Sequence, residues 1–335
     1  MRFFSQFICT ETYVFILISI KILQKAVYGF SESYTQNLDK LKYICYTNFD
    51  FKGVYMAKQL ERYQEIERSI ITRYRKDLWG PFIYAVKRYE LIKENDKIAV
   101  CISGGKDSMI LAKLMQELHR HSDVPFDLIF LVMDPGYNKE NRQKIEDNAK
   151  ILNIPLTIFE SDVFEVANKM DKNPCYLCAR MRRGCLYAKA KELGCNKIAL
   201  GHHMSDVIET TLMSMMYSGQ IQGMLPKLRS TNFEGMELIR PMYCILEKDI
   251  INWKNYNNLD FIACACKLTE GVENKELTSM RRKTKELIAK LKEENQFIES
   301  NIFQSIHNVQ LDTLVEYKSM GKEYPFVDRY NKGEK

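Results

Sequence analysis

At 335 residues, with 46% hydrophobic residues and a net charge of +6, the chain is long enough to bury one large core or two modest ones. That excludes a disordered tail and a disulfide-stapled miniprotein. The mild positive balance permits an anionic partner such as nucleic acid without establishing one. Ten cysteines dispersed from Cys9 to Cys266 fit a reducing, cytoplasmic setting in which some of them bind metal.

Residues 1–55 read differently from the rest. TYVFILISI (12–20) is an apolar run of nine, soon interrupted by Lys21 and Lys25, whereas a bilayer-spanning helix needs about 20 apolar residues. No membrane span is expected. Glu11 stands where a signal peptide would be basic, and no small-residue cleavage site follows. Met56 then opens a strongly helical, charged segment, so translation is expected to begin there, with 1–55 a non-native or disordered extension.

Residues 56–93 carry helical spacing broken at Gly80-Pro81. They mix Arg68, Arg73, Arg75 and Lys76 with Tyr74, Trp79, Phe82 and Tyr84, a mixture suited to tracking a nucleic-acid backbone and stacking bases. Half of those aromatics are expected in the core. Residues 94–262 alternate strand-like runs with helices: KIAVCI (97–102), FDLIFLVM (126–133), PLTIFE (155–160), KIALG (197–201) and a weaker MELIRPM (236–242). Short apolar strands separated by crossover helices imply an α/β fold, a doubly wound parallel sheet of about five strands covered on both faces. Residues 263–335 are expected to add a helical segment built on a long amphipathic helix over 274–296.

Between the first strand and its helix stands SGGKDS (103–108). Adjacent glycines let the backbone approach a ligand closely, and the helix that follows offers free N–H groups and the positive end of its dipole. Phosphate is the natural guest. The stretch matches neither G-x-x-x-x-G-K-[ST] nor G-x-G-x-x-G. The plain structural alternative is a tight turn with Asp107 as a helix cap. GHHMSD (201–206) follows the fourth strand. Neighbouring first and fourth strands at a topological switch point would bring His202, His203 and Asp206 to face the loop. Asp107 and Asp206 would then be partners for Mg²⁺. Either histidine alone could equally be packed or bonded to backbone.

NPCYLCARMRRGCLY (173–187) sets Cys175 and Cys178 two residues apart, and FIACACKLTE (261–270) supplies Cys264 and Cys266. Four thiolates would make a structural zinc site, and three with an open position would suit an iron–sulfur cluster. Cys101, Cys195 and Cys244 read as inert core residues. Arg180, Arg182, Arg183, Lys189 and Lys191 form a basic cluster without an acid, either a polyanion site or a solvated helical face. The loop 218–230, with Gly219, Gly223, Pro226, Lys227 and Arg229, reads as a basic flap.

SGGKDS has the S-G-G-x-D-S form of the ATP pyrophosphatase (PP-loop) superfamily. With CYLCARMRRGCLYAKAKELGCNKIALGHHMSD and SGQIQGMLPKLRS…LIRPMYCILEKDI, residues 58–315 resemble the tRNA 2-thiocytidine synthetase family. The resemblance implies an adenine nucleotide alpha hydrolase-like fold and ATP-dependent thiolation of a tRNA cytidine at position 32. It implies ATP, Mg²⁺ and a [4Fe-4S] cluster as cofactors, with tRNA and a sulfur donor such as a cysteine desulfurase as partners. A homodimer is also expected. By that resemblance ATP is held by Ser103, Gly104, Gly105, Lys106, Asp107, Ser108, Met133, Gly201 and His202. The cluster is held by Cys175, Cys178 and Cys264, with Cys266 the alternative third ligand. Asp107, Asp206 and Arg182 are the catalytic candidates. The rivals are a tRNA-isoleucine lysidine synthetase-like ligase, which has no need of the cysteines, a PP-loop sulfurtransferase on another substrate, and a non-catalytic nucleotide- or metal-binding protein.

Overall fold

The computed structural model describes residues 60–161, 163, 174–262 and 275–333, with backbone alone at 174–179 and 275–279. The expectations for residues 1–55, and for Cys264 and Cys266, lie outside the described residues.

The described chain opens with α1 (Arg62–Ile71), a π-helical turn (Arg75–Trp79) and α2 (Gly80–Arg88), which has Pro81 in its first turn where a missing N–H costs nothing. There follow β1 (Lys97–Ile102), α3 (Lys106–His121), β2 (Asp127–Asp134), α4 (Lys139–Ile151), β3 (Leu156–Glu160), α5 (Pro174–Glu192), β4 (Lys197–Ala199) and α6 (Met204–Ser218). After these come β5 (Lys227–Arg229), β6 (Glu237–Ile239), α7 (Glu247–Tyr256), α8 (Lys275–Glu294) and α9 (Ile298–Ser305). The chain closes with the hairpin β7 (Glu316–Ser319) and β8 (Lys322–Pro325), and a short α10 (Phe326–Asn331).

The main sheet runs in the order β3-β2-β1-β4-β6-β5, parallel except for β5, which pairs antiparallel with β6. Five parallel strands agree with the five expected from sequence. The sixth falls inside the stretch read as a flap, where three residues at a sheet edge carry too short an apolar pattern to announce a strand. The hairpin β7–β8 likewise adds strands to a segment expected to be helical.

Side chains of β1 alternate between two cores, as period two requires. Ile98, Val100 and Ile102 pack with Met109, Ile110 and Leu114 of α3 and Ile145 of α4, while Ala99 and Cys101 pack with Tyr187 and Ala190 of α5. The two faces are therefore covered by α3 and α4 on one side and by α5 on the other. Strand order reverses between β1 and β4, whose carboxyl ends open the crevice that such a reversal creates. A third, smaller core joins α6 to α8 and α9 through Val207, Ile208, Ile288 and Phe303. Helix α1 is fixed to α3 by Glu67, whose carboxylate meets the fully buried Lys113 and Arg120.

Of the four aromatics in the basic N-terminal segment, Tyr74 and Phe82 are buried and Tyr84 is exposed, with Trp79 stacked on Phe82 at 5.7 Å. Half of them belong to the core. Among the described residues no helix is long and apolar enough to cross a membrane.

Candidate active site at the mouth of β1 and β4

Where β1 ends, the chain turns into α3 through Ser103, Gly104 and Gly105. Gly104 has φ +84°, and a Cβ there would stand 2.6 Å from both Ile145 Cγ1 and Ile262 Cδ1, so both backbone conformation and space demand glycine. Buried Ser108 pins the loop: its Oγ accepts from the Ser103 N–H at 3.1 Å and donates to the Gly105 carbonyl at 2.9 Å. Gly105 caps α3 with no side-chain acceptor. The first N–H groups of the helix are left for an anion. Asp107 lies inside the first turn of α3 and does not cap it.

Across the crevice, His203 caps α6 and exchanges bonds with Asp206: the His203 N–H donates to Asp206 Oδ2 at 3.0 Å, and the Asp206 N–H to His203 Nδ1 at 3.4 Å. His203 Nε2 reaches to 3.7 Å from Asp107 Oδ1, an oxygen that is buried and without a hydrogen bond. The two helix starts and their two aspartates thus converge at the switch point. Gly201 makes this approach possible, since a Cβ there would meet the Asp107 carbonyl group at 3.1 Å.

A closed ring of charges surrounds these groups. Lys106 Nζ donates to Asp107 Oδ2 (3.1 Å) and Glu247 Oε1 (2.9 Å), and Glu247 Oε2 accepts from Lys285 (2.9 Å). Lys285 stands 3.5 Å from Glu209, Glu209 3.6 Å from Arg281, and Arg281 donates to Asp206 Oδ1 at 3.2 Å. Burial works against the carboxylate of Glu247, but the two lysines more than offset it and hold its pKa at about 2. Lys106 is burdened by burial and is still raised above an ordinary lysine by Asp107 and Glu247. Burial pushes the Glu209 carboxyl up, and Lys285 and Arg281 only moderate it.

His202 and Arg240 follow the ends of β4 and β6. Burial first and the Arg240 charge second push the His202 pKa down to about 4, so its ring is neutral at physiological pH. Burial and then Arg183 lower Arg240 to about 10. Arg183 of α5 is thus one of the charges that act on these two groups. Met133 ends β2 as a wall residue, packed with Val163 and against Met181 and Cys185. Its neighbour Asp134 opposes its burial with bonds from the Gly136 and Tyr137 N–H groups and from Arg142, which keep its pKa low.

The paired cysteines occupy the first turns of α5, Cys175 one residue and Cys178 four residues after its start. Helix α5 lies on the opposite face of the sheet from α3. Met181 and Cys185 pack against Met133 at the end of β2, however, and Ala190 and Cys195 against Ala99 and Ile198. The helix therefore starts at the carboxyl edge that also holds the phosphate loop, and each residue before Met181 climbs about 1.5 Å further along it. From the other direction Ile262, two residues before Cys264, is packed on Gly104. Its approach is anchored by Lys144 to Asp260 at 2.5 Å and by Asn148 to the Asp260 carbonyl at 2.9 Å.

Sequence reasoning missed Glu247, Arg281, Lys285 and Arg240. Their partners are 38 to 141 positions distant or lie on the other side of a strand, so no local spacing announces them. The one available signal was Arg240-Pro241 directly after a strand.

The sequence pattern of the PP-loop domain family matches residues 80–270. The chain is 32% identical over 241 residues to the tRNA-cytidine(32) 2-sulfurtransferase of Geotalea uraniireducens, covering 70% of this chain and 93% of the relative. It is 35% identical over 240 residues to that of Coxiella burnetii, covering 70% and 90%. The fold is similar to that of the tRNA thiolase NcsA from Methanococcus maripaludis, solved with its [4Fe-4S] cluster, at TM-score 0.55 and 20% identity over 71% of this chain and 80% of that one. With a family match over more than half its length and relatives covered almost end to end, the chain belongs to the PP-loop family, in the branch of the tRNA-cytidine(32) 2-sulfurtransferases.

Proposed function

We propose that the chain thiolates the C2 position of a tRNA cytidine at the expense of ATP, the activity by which its relatives are named. A cytosine C2 carbonyl is a poor electrophile. Transfer of AMP to its oxygen turns that oxygen into a leaving group, pyrophosphate departs, and sulfur then replaces the oxygen as AMP is released.

Ser103, Gly104, Gly105 and Ser108 hold the departing pyrophosphate, whose growing charge meets N–H donors already oriented by the helix start. Lys106 presents a fixed positive charge beside them. Asp107 and Asp206 hold Mg²⁺, a reading supported by the buried, unpartnered Asp107 Oδ1, since this ion favours a few carboxylates together with phosphate oxygens. Met133 and Gly201 wall the nucleotide site. Arg182, with Arg183, offsets phosphate charge on the RNA side.

A [4Fe-4S] cluster on Cys175, Cys178 and Cys264 supplies, when bound, one iron open to a sulfur ligand. Cys264 is preferred to Cys266 because it follows Ile262 by two residues, at most about 7 Å of chain from the phosphate loop. A cysteine desulfurase together with a thiol reductant, which brings its persulfide sulfur to the level of sulfide, or a comparable donor provides the sulfur, a tRNA substrate sets the work in the cytoplasm, and a homodimer is the expected assembly.

The observation that carries this reading is the meeting at one sheet edge of a phosphate loop, the start of the C-x-x-C helix and the approach to the second cysteine pair. The test is anaerobic purification with iron, sulfide and zinc quantification, followed by incubation with ATP, Mg²⁺, sulfide and tRNA and nucleoside mass spectrometry. About four irons per chain, tRNA-dependent pyrophosphate release and 2-thiocytidine in the product are expected. Zinc in place of iron, together with ATP consumption indifferent to tRNA, would overturn the reading.

A further inference from the structure

Arg240 is 7% exposed and follows β6 directly. Its Nη1 donates to the Leu225 carbonyl and its backbone N–H to the Pro226 carbonyl, but Nε is buried without a partner. Among the described residues no carboxylate forms an ion pair with it, and the charge that acts on it most strongly is the like charge of Arg183. A buried guanidinium that lacks a counter-charge and a full set of acceptors is costly to the free protein, so a ligand that completes it accounts for its retention.

A second unpartnered group stands beside it. Ala199 and Ile239 are in register, and the Leu200 N–H donates to the Ile239 carbonyl at 3.0 Å. Residues 200 and 240 are therefore neighbours across the strand pair. Two residues further on, His202 Nδ1 is also buried without a partner. Both groups follow the carboxyl ends of β4 and β6, and β4 pairs directly with β1, whose end carries the phosphate loop.

We propose that Arg240 and His202 form the subsite for the acceptor base and select cytosine over uracil, a step that deepens the thiolation reading and rests on it. Nitrogen N3 of cytosine is an acceptor, whereas N3 of uracil carries a hydrogen. The fixed Nε–H of Arg240 suits the first and opposes the second, leaving O2 free to face the nucleotide. His202, a neutral ring, accepts through Nδ1 from the exocyclic amino group that cytosine has and uracil lacks. Buried polar groups that a wrong substrate leaves unpaired discriminate more strongly than a change of shape does.

The test uses the full-length holoprotein with two tRNA transcripts that differ only in cytidine or uridine at the acceptor position. It reads tRNA-dependent ATP–pyrophosphate exchange, MgATP binding without RNA, and melting temperature. Wild type is expected to prefer the cytidine transcript by at least about 100-fold. Arg240→Lys is expected to narrow that ratio by about 10-fold or more, with MgATP affinity changed less than two-fold. His202→Gln, which keeps an acceptor and leaves the arginine in place, is expected to narrow it less and serves if the first variant melts early. A cytidine preference retained by both variants overturns the subsite and leaves the thiolation reading standing, as does a loss of MgATP binding in Arg240→Lys, which would assign the arginine to the nucleotide. Absence of exchange with either transcript in wild type overturns the thiolation reading itself.

Discussion

Ile262 fills the space that a side chain at Gly104 would need: its Cδ1 stands 2.6 Å from the position of a Cβ there, and its carbonyl oxygen 3.8 Å from that of a Cβ at Gly105. The segment leading to the second cysteine pair is therefore part of the wall of the phosphate loop. The chain two residues before Cys264 is thereby fixed against this loop.

Gly104→Ala should be far worse than Gly105→Ala. The first imposes a side chain on φ +84° and drives it into two isoleucines, whereas the second has φ −80° and meets nothing closer than 3.7 Å. Overpacking and the left-handed backbone together are expected to remove about 2–4 kcal/mol at Gly104 and less than about 1 kcal/mol at Gly105. Urea titrations of the two variants check this. Equal losses would mean that the loop is not pinned against Ile145 and Ile262.

Glu247 sets an acid limit on stability. Its folded pKa of about 2 lies below the ordinary glutamate value of 4.5, so its contribution is fully present above pH 4.5 and is lost as pH falls from there towards 2. By linkage that contribution is on the order of 3 kcal/mol. Glu247→Gln should lower stability at pH 7 by about 1–3 kcal/mol, because Lys106 and Lys285 lose their shared partner. It should also flatten the fall in stability between pH 4.5 and 2. Urea midpoints at pH 7 and pH 3.5 test both statements, and a variant with the same acid slope as wild type would remove Glu247 from the account.

The contrast between Gly104 and Glu247 marks what could be read in the chain itself. Gly104, Asp107, His203 and the switch point were readable because each rests on a local pattern: an apolar run, a turn, a helix start. The adjacency that the switch point requires is present, with Ile98, Ala99 and Val100 of β1 paired to Lys197, Ile198 and Ala199 of β4. Glu247, Lys285 and Arg281 were not readable. On their own helices they look like any solvated charged face, and only the docking of α7 and α8 onto α3 and α6 makes them a ring. The edge strand β5 was missed for a related reason, because Lys227 is partly buried and Leu228 and Arg229 are exposed. An exposed edge strand needs no apolar alternation.

Asp107→Asn and Asp206→Asn keep the size of the side chain and remove a charge from the crevice. ATP turnover in the presence of Mg²⁺ and tRNA is expected to fall by about 100-fold or more in each, while binding of ATP in the presence of a chelator is preserved within a few-fold. Asp206→Asn should in addition loosen α8, because Arg281 loses its closer carboxylate at 3.2 Å and keeps only Glu209 at 3.6 Å. Faster amide exchange along α8 in that variant, unmatched in Asp107→Asn, is the measurement that separates the two aspartates.

Three of the cysteines are held in the core. Burial raises Cys101 to about 12 and Cys244 to about 11, and it raises Cys195 as well, so all three stay protonated within the core. Cys175→Ala and Cys178→Ala, in the first turns of α5, are expected to abolish bound iron, and Cys101→Ala and Cys244→Ala to leave it intact. Between Cys264 and Cys266 the packing of Ile262 on Gly104 favours the nearer residue. Cys264→Ala should lose the iron signal and Cys266→Ala should retain it. The reverse result would lengthen the tether from Ile262 to about four residues and weaken the argument that packing at the phosphate loop fixes the third ligand. Retention of iron by Cys175→Ala would remove the α5 start from the metal site altogether, and with it the reason for bringing sulfur to this edge of the sheet.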